Sequence, residues 1–199
     1  MLIEWDYNKI QVKFPQEDAS KMFMQSNFAS TLYKASPRFQ PSHLVLKSPS
    51  EHTINGHHYD IEMQVFHDAE DVNEESNIKH SATVIFFSVE EYDEIDAVHN
   101  KTLQDWFRQF KFEDTGDKVA PFFDIGDVLN EVDYGERWTY KGAGSEPPCT
   151  QFIYWNIIPK VYPIEMDRFA VFKDFLYAKK GYLGSYKNNR KIQAVQKDT

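Results

Sequence analysis

The sequence predicts a mostly β protein with a few short helices, an α+β chain in which a large sheet forms the centre. The prediction rests on several strand-length runs of apolar residues, one hairpin turn and two stripes of apolar residues at helical spacing. The length of 199 residues favours a single domain, 1–199, that buries roughly 70% of the surface of the unfolded chain. Apolar residues make up 41% and aromatic residues 16%, which excludes a disordered chain.

Five segments have the pattern of strands. Apolar and polar residues alternate in Ile10–Phe14, His43–Lys47 and Tyr59–Phe66, as expected for strands with one buried face. Ala82–Phe87 is almost entirely apolar, which predicts a strand covered on both faces, and Gln151–Ile158 is a further candidate.

A turn and two helices complete the predicted elements. The dipeptide Asn55-Gly56 favours a type I′ turn, because both central residues of that turn need positive φ. The first helix is expected to have a cap at Asn100. The apolar stripes, interpreted as ordinary core contacts, are Leu103, Trp106, Phe107 and Phe110 in one helix and Met166, Phe169, Phe172 and Leu176 in the other.

Charge and composition exclude several classes of function. The net charge is −9, from 22 basic and 31 acidic residues, which argues against non-specific nucleic-acid binding. No apolar run reaches 18 residues, so no membrane span is predicted, and Met1–Asp6 lacks the features of a signal peptide. The single cysteine, Cys149, excludes an intrachain disulfide and a Cys-rich zinc site. An intracellular protein, in the cytosol or an organelle, is therefore favoured.

Five motifs in one order resemble the α-class carbonic anhydrase family over residues 7–195. Ser48–Gly56 contains the family's Ser-Glu-His-Thr segment, and Tyr59-x-x-Glu62 with His67 follows it. The remaining matches are Ala82–Phe87, Gly142–Cys149 followed by Trp155, and Asn189–Gln193. The resemblance implies a large, twisted, mainly antiparallel central sheet of the α-carbonic anhydrase type, N-terminally shortened by several dozen residues. The family's partner for Cys149 would lie in that segment.

The resemblance also implies where a zinc ion would be bound. Members of the family hold Zn²⁺ with three His, two at i and i+2 on one strand and the third on its neighbour, which leaves one tetrahedral position for water. Those positions are Val45, Lys47 and Gln64 in this sequence. Val45 has no donor atom, Lys47 brings a positive charge, and the amide of Gln64 replaces an imidazole poorly. The sequence therefore predicts no metal, no cofactor and no enzyme activity.

Groups that surround the metal in the family are nevertheless present. The resemblance implies that Glu51 accepts a hydrogen bond from a hydroxyl, here that of Ser145, that Glu62 orients the third ligand, and that His52 lies close by. We interpret these four residues as a structural polar network. The Lys47 ammonium is expected to take the electrostatic place of the metal and to pair with Glu62 or Glu51, directly or through water. The alternative is that the Lys47 side chain extends to solvent through the open pocket. Gln64 is expected to add a hydrogen bond. The other His are expected to be exposed or hydrogen-bonded: His43, His57, His58, His67, His80 and His99.

Three functional hypotheses follow from this pattern. The first is a catalytically inactive carbonic-anhydrase-like domain that serves as a structural or protein-interaction subunit, with other protein subunits as partners. The second is a small-molecule or anion-binding protein that reuses the former active-site pocket, where Lys47 would attract an anion and Glu51 and Glu62 would oppose it. The third, and the weakest, is an active zinc carbonate dehydratase.

Overall fold

The computed structural model describes seven ranges of the chain. The described residues are 2–6, 9–14, 24–25, 38–69, 79–109, 125–145 and 149–179. Two predictions fall outside these ranges: the place of Phe110 in the first helical stripe, and the motif Asn189–Gln193.

The described part of the chain contains eight strands and three helices. The strands are β1 (Leu2–Asp6), β2 (Lys9–Lys13), β3 (Met24–Gln25), β4 (Arg38–Lys47), β5 (Ile61–Ala69), β6 (His80–Ser88), β7 (Trp138–Gly142) and β8 (Ile153–Pro163). The helices are α1 (Ala97–Arg108), α2 (Ile125–Glu131) and α3 (Met166–Lys179).

All eight strands belong to one mixed sheet. The order is β1-β2-β4-β5-β6-β8-β7, and β3 pairs with β4 beside this path. Every pairing is antiparallel except that of β6 with β8, which is parallel. The predicted fold class, a mainly antiparallel central sheet with short helices, is thus confirmed.

The sheet separates two layers because side chains alternate between its faces. On β5, Ile61, Met63 and Val65 point into the larger apolar cluster, which also receives residues of all three helices. Glu62 and Gln64 point to the opposite face, where a smaller cluster around Trp155 lies. The alternation therefore places a row of buried polar side chains opposite the main core.

The turn that connects β4 and β5 has the predicted geometry. Asn55 has φ of 54° and Gly56 has φ of 80°, and Ile54 and His57 bond across the turn. The turn lies within a longer loop, 48–60, because β4 ends at Lys47 and β5 begins at Ile61. This loop carries Glu51 and His52 over the polar face of the sheet.

The helices agree with the apolar stripes but differ in detail. Leu103, Trp106 and Phe107 are buried as predicted, whereas Met166 is 58% exposed. The cap of α1 is Asp96, whose carboxylate accepts hydrogen bonds from the backbone of Val98 and His99, so the predicted cap at Asn100 is wrong. An Asp just before the first turn satisfies free N–H groups that a residue inside the helix cannot reach. None of the described helices has the length and apolarity needed to cross a membrane.

Candidate functional site

The three positions matched to zinc ligands lie side by side on β4 and β5. Val45 is paired with Gln64, and Lys47 is paired with Glu62, in the antiparallel register of the two strands. All four residues are buried, and Lys47 is only 1% exposed. The strand register therefore brings together the side chains that the motif spacing predicted to be neighbours.

The predicted ion pair of Lys47 is present, and its partner is Glu51. Lys47 Nζ lies 3.5 Å from Glu51 Oε1, with both side chains buried. Gln64 Nε2 donates to the other Glu51 oxygen at 3.2 Å and to Glu62 Oε1 at 2.7 Å. The amide of Gln64 thus joins the two carboxylates, as the sequence predicted that it would add a hydrogen bond.

Glu62 has four hydrogen-bond partners at the site. Its Oε2 accepts from the backbone N–H groups of Glu51 at 2.8 Å and His52 at 2.7 Å. Its Oε1 lies 2.8 Å from His52 Nδ1 and accepts from Gln64. Burial alone would raise the pKa of Glu62, but the hydrogen bonds and charge of His52, together with Gln64, lower it below the ordinary value. The carboxylate is therefore ionised and acts only as an acceptor.

His52 connects this carboxylate to the edge of the sheet. Its Nε2 lies 2.7 Å from the hydroxyl of Tyr140 on β7, and its ring packs 5.1 Å from that of Trp155 on β8. Tyr140 in turn stacks on Trp155, with the ring planes 9° apart. Burial alone would lower the pKa of His52, but the hydrogen bond and charge of Glu62 and the charge of Glu51 raise it.

Tyr140 is a site residue that sequence reasoning missed. Burial raises the pKa of its hydroxyl, with the charges of Glu62 and Glu51 acting in the same direction, so the phenol stays protonated. A signal was present in the sequence, because Trp138-Thr139-Tyr140 leads directly into the recognised Gly142–Cys149 motif. That short run has no long apolar alternation and was not predicted as a strand.

The segment after β7 carries Ser145 and Cys149. Ser145 is half-buried, and Cys149 is a free, half-buried thiol whose φ is 56°. The hydrogen bond from Ser145 to Glu51 stays a prediction. Residues 146–148 lie outside the described ranges.

Most of the other His have partners on the surface or at its margin, as expected. His57 pairs with Glu91 at 2.6 Å, and His58 Nδ1 lies 2.6 Å from the carbonyl of Ser50. The remaining contacts are His80 with Asp68, His99 with Asp96 and Glu131, and the ring of His43 stacked on Phe66.

His67 differs from this expectation. It lies on the core face of β5 and is 1% exposed, and among the described residues neither ring nitrogen has a hydrogen-bond partner. Burial lowers the pKa of His67 to about 4, although the nearby carbonyls of Val65 and Ser81 and the charge of Asp68 oppose this. His67 is therefore a neutral imidazole inside the sheet core.

The donor set of the site does not fit a zinc ion. Val45 offers no donor, the Lys47 ammonium pairs with Glu51, and the oxygens of Glu62 already accept four hydrogen bonds. Zinc sites in proteins use His, Cys or carboxylate donors in a tetrahedral arrangement. Within the described ranges, no cluster of three or more His, Cys, Asp or Glu side chains is arranged to bind a metal.

Comparisons with known proteins agree on the fold. The family model described as eukaryotic-type carbonic anhydrase matches residues 3–199. An alpha-carbonic anhydrase from Thermovibrio ammonificans, solved with the inhibitor sulfanilamide, superimposes with a TM-score of 0.67 at 18% identity, over 98% of this chain and 71% of that one. Dioscorin complexed with ascorbate gives a TM-score of 0.67 at 21% identity, over 97% of this chain and 69% of that one.

Curated relatives are similar over part of their length. Dioscorin DB3L of Dioscorea polystachya is 28% identical over 124 residues, which are 62% of this chain and 42% of the relative. Alpha carbonic anhydrase 7 of Arabidopsis thaliana is 23% identical over 158 residues, which are 78% of this chain and 52% of the relative. The chain thus spans about half the length of the curated relatives it matches.

Proposed function

The chain belongs to the eukaryotic-type carbonic anhydrase family, and we propose that it is a catalytically inactive member that serves as a structural or protein-interaction subunit of a larger assembly. The observation that carries the proposal is the buried Lys47 ammonium, paired with Glu51 where the match to the family places a metal ligand. Its neighbours at the other two ligand positions, Val45 and Gln64, add no imidazole.

The chemistry of CO₂ hydration explains why these substitutions matter. The reaction needs a metal-bound water whose pKa is lowered to about 7, so that hydroxide is available at neutral pH. A dication entering this site would meet the Lys47 ammonium and would have to displace it from Glu51, at the expense of a buried ion pair. The polar groups kept around the site stabilise the fold instead of orienting a nucleophile.

Metal content and activity test the proposal directly. We expect the purified chain to contain far less than one zinc per molecule, measured by plasma mass spectrometry after dialysis against zinc. CO₂ hydration should match the buffer rate and should not respond to a sulfonamide. The triple variant Val45→His, Lys47→His, Gln64→His provides the matched comparison, because it restores the three imidazoles. One zinc per wild-type chain, with sulfonamide-sensitive hydration, would contradict the proposal.

The edge strand β7 supports a role in protein contacts. Among the described residues, β8 is the strand that pairs with β7, and its other side faces no described strand. Trp138 is 52% exposed and Phe152 is 50% exposed, and Lys141 Nζ lies 4.4 Å above the Phe152 ring. Open strand edges and exposed aromatic side chains are typical of surfaces that bind other proteins.

A comparison of two surface variants tests this role. Trp138→Lys is expected to remove the protein that co-purifies with the tagged full chain, because it places a charge in the aromatic surface of β7. Val98→Lys is the control, since Val98 is 74% exposed on α1, away from β7. If both variants retain the same partner as the wild type, or if the wild type retains none, the interaction role at β7 is wrong.

The second candidate function is binding of a small organic anion. It is favoured by the similarity to a dioscorin structure solved with ascorbate, and by the cationic Lys47 at the site. Calorimetry with ascorbate distinguishes it from the first candidate, since an anion held by Lys47 should bind more weakly to Lys47→Met than to the folded Lys47→Arg variant. Absence of heat with the wild-type chain at millimolar ascorbate would remove this candidate.

A further inference from the structure

Within the described ranges, the site brings two carboxylates close to the ammonium of Lys47 and to the ring of His52. Two carboxylates, Glu51 and Glu62, lie on the polar face of β4 and β5, at 8% and 0% side-chain exposure. Both are near Gln64, whose amide donates to each of them. Two buried carboxylates beside each other disfavour joint ionisation unless two positive charges compensate them. Lys47 supplies one of these charges at 3.5 Å from Glu51, and His52, 2.8 Å from Glu62, is placed to supply another.

His52 has the geometry to be that cation. Its Nδ1 is 2.8 Å from Glu62 Oε1, and because Glu62 only accepts, this nitrogen carries a proton. Its Nε2 is 2.7 Å from the hydroxyl oxygen of Tyr140, and a phenol hydroxyl can either donate or accept a hydrogen bond. An additional proton on Nε2 therefore requires only a rotation of the Tyr140 O–H, and the heavy atoms stay in place.

We propose that His52 is an imidazolium at neutral pH, and that the protonated His52 and Lys47 together provide the two positive charges that balance Glu51 and Glu62. The negative charges of Glu51 and Glu62 are then balanced by the proton bound to His52 and by the Lys47 ammonium. Loss of the proton at higher pH leaves one carboxylate uncompensated and reverses the His52–Tyr140 hydrogen bond. The site is thus a proton-linked contact between the 48–60 loop and the β7 edge.

The groups around His52 agree with this assignment. Among the described residues, the charged and titratable groups that face it are Glu62 from β5, Glu51 from the loop and Tyr140 from β7. Lys47 is connected to it through Glu51. Trp155 contributes an aromatic ring, which is compatible with a cation. Burial opposes protonation, but the hydrogen bond and charge of Glu62 and the charge of Glu51 outweigh it and raise the pKa of His52 above 6.5.

Nuclear magnetic resonance of the full chain with ¹⁵N-labelled His tests the proposal. We expect both His52 nitrogens to be protonated at pH 7, with a midpoint above 6.5. Lys47→Met should raise the His52 midpoint by about one unit, because it removes a nearby positive charge. Glu51→Gln should lower the midpoint, because it removes a negative charge that favours the imidazolium.

Two results would overturn the proposal. The first is a neutral His52 at pH 7 that has a proton on Nδ1 alone. The second is a midpoint that moves in the same direction in Lys47→Met and Glu51→Gln, since a purely structural effect on the loop has no reason to follow the sign of the removed charge. If Lys47→Met does not fold, Glu51→Gln and the wild-type titration still decide the question.

Discussion

Replacement of Lys47 by methionine is expected to lower the free energy of unfolding by about 3–5 kcal/mol. Met has nearly the shape of the Lys stem, so the packing of β4 changes little. The loss comes from Glu51, whose carboxylate is 8% exposed and would lose the ammonium 3.5 Å away. Removal of one member of a buried ion pair leaves the other charge buried without compensation. The free energy lost is larger than the stability that the intact pair contributes.

Urea unfolding of matched variants separates this effect from a loss of packing. Lys47→Met/Glu51→Gln removes both charges, so it should recover a large part of the stability lost in Lys47→Met. Lys101→Met is the surface control, because Lys101 pairs with Asp105 at 76% side-chain exposure and should change stability little. A Lys47→Met variant as stable as Lys101→Met would show that the ammonium is not needed at this position.

The strand pairings around the site could be predicted from the sequence, because they depend on local spacing. Side chains in strands alternate with a period of two, so the motif positions fix which face each residue occupies. Val45 and Lys47 therefore share a face of β4, and the observed pairing of Lys47 with Glu62 follows from the turn that joins the strands. The choice of Glu51 as the ion partner depends on the path of the 48–60 loop, which spacing does not determine.

Contacts between distant segments were less accessible to sequence reasoning. Tyr140 lies 88 residues from His52 and reaches it only because β8 pairs in parallel with β6 and carries β7 beside it. His67 was expected to be hydrogen-bonded or exposed. The same alternation that places the Glu62 side chain on the polar face of β5 places that of His67 on the core face. The strand pattern predicts this orientation. That no described residue forms a hydrogen bond with the ring depends on tertiary packing, which the pattern does not determine.

Acidification from pH 6.5 to pH 4 is expected to remove about 3 kcal/mol of stability through His67 alone. His67 is 1% exposed and its pKa is about 4 in the folded chain, against 6.5 for an ordinary His. The folded pKa is lower than the unfolded one, so the unfolded state binds more protons in this window. Stability therefore falls as pH decreases, by up to about 1.4 kcal/mol per pH unit.

Two residues of the site, Glu62 and His52, also have shifted pKa values and act in distinct pH windows. The pKa of Glu62 is lowered, so its contribution is present above about pH 4.5 and is lost as pH falls through its folded pKa. The pKa of His52 is raised, so its contribution is complete below 6.5 and is lost as pH rises through its folded pKa. The stability lost on acidification through His67 and Glu62 and the stability lost on alkalinisation through His52 thus have different origins.

Urea unfolding of His67→Gln at pH 7.5, 6.5, 5.5 and 4.5 tests the predicted loss of stability at acid pH. The variant removes the titrating ring, so its stability should depend less on pH between 6.5 and 4.5 than that of the wild type, while the loss above pH 6.5 stays unchanged. His57→Gln is the matched control, because it removes an imidazole whose side chain is 50% exposed and lies outside the core. An equal dependence of stability on acid pH in the wild type and in His67→Gln would mean that the pKa of His67 is the same in the folded and unfolded chain. That result would contradict the lowered pKa of the buried imidazole on β5.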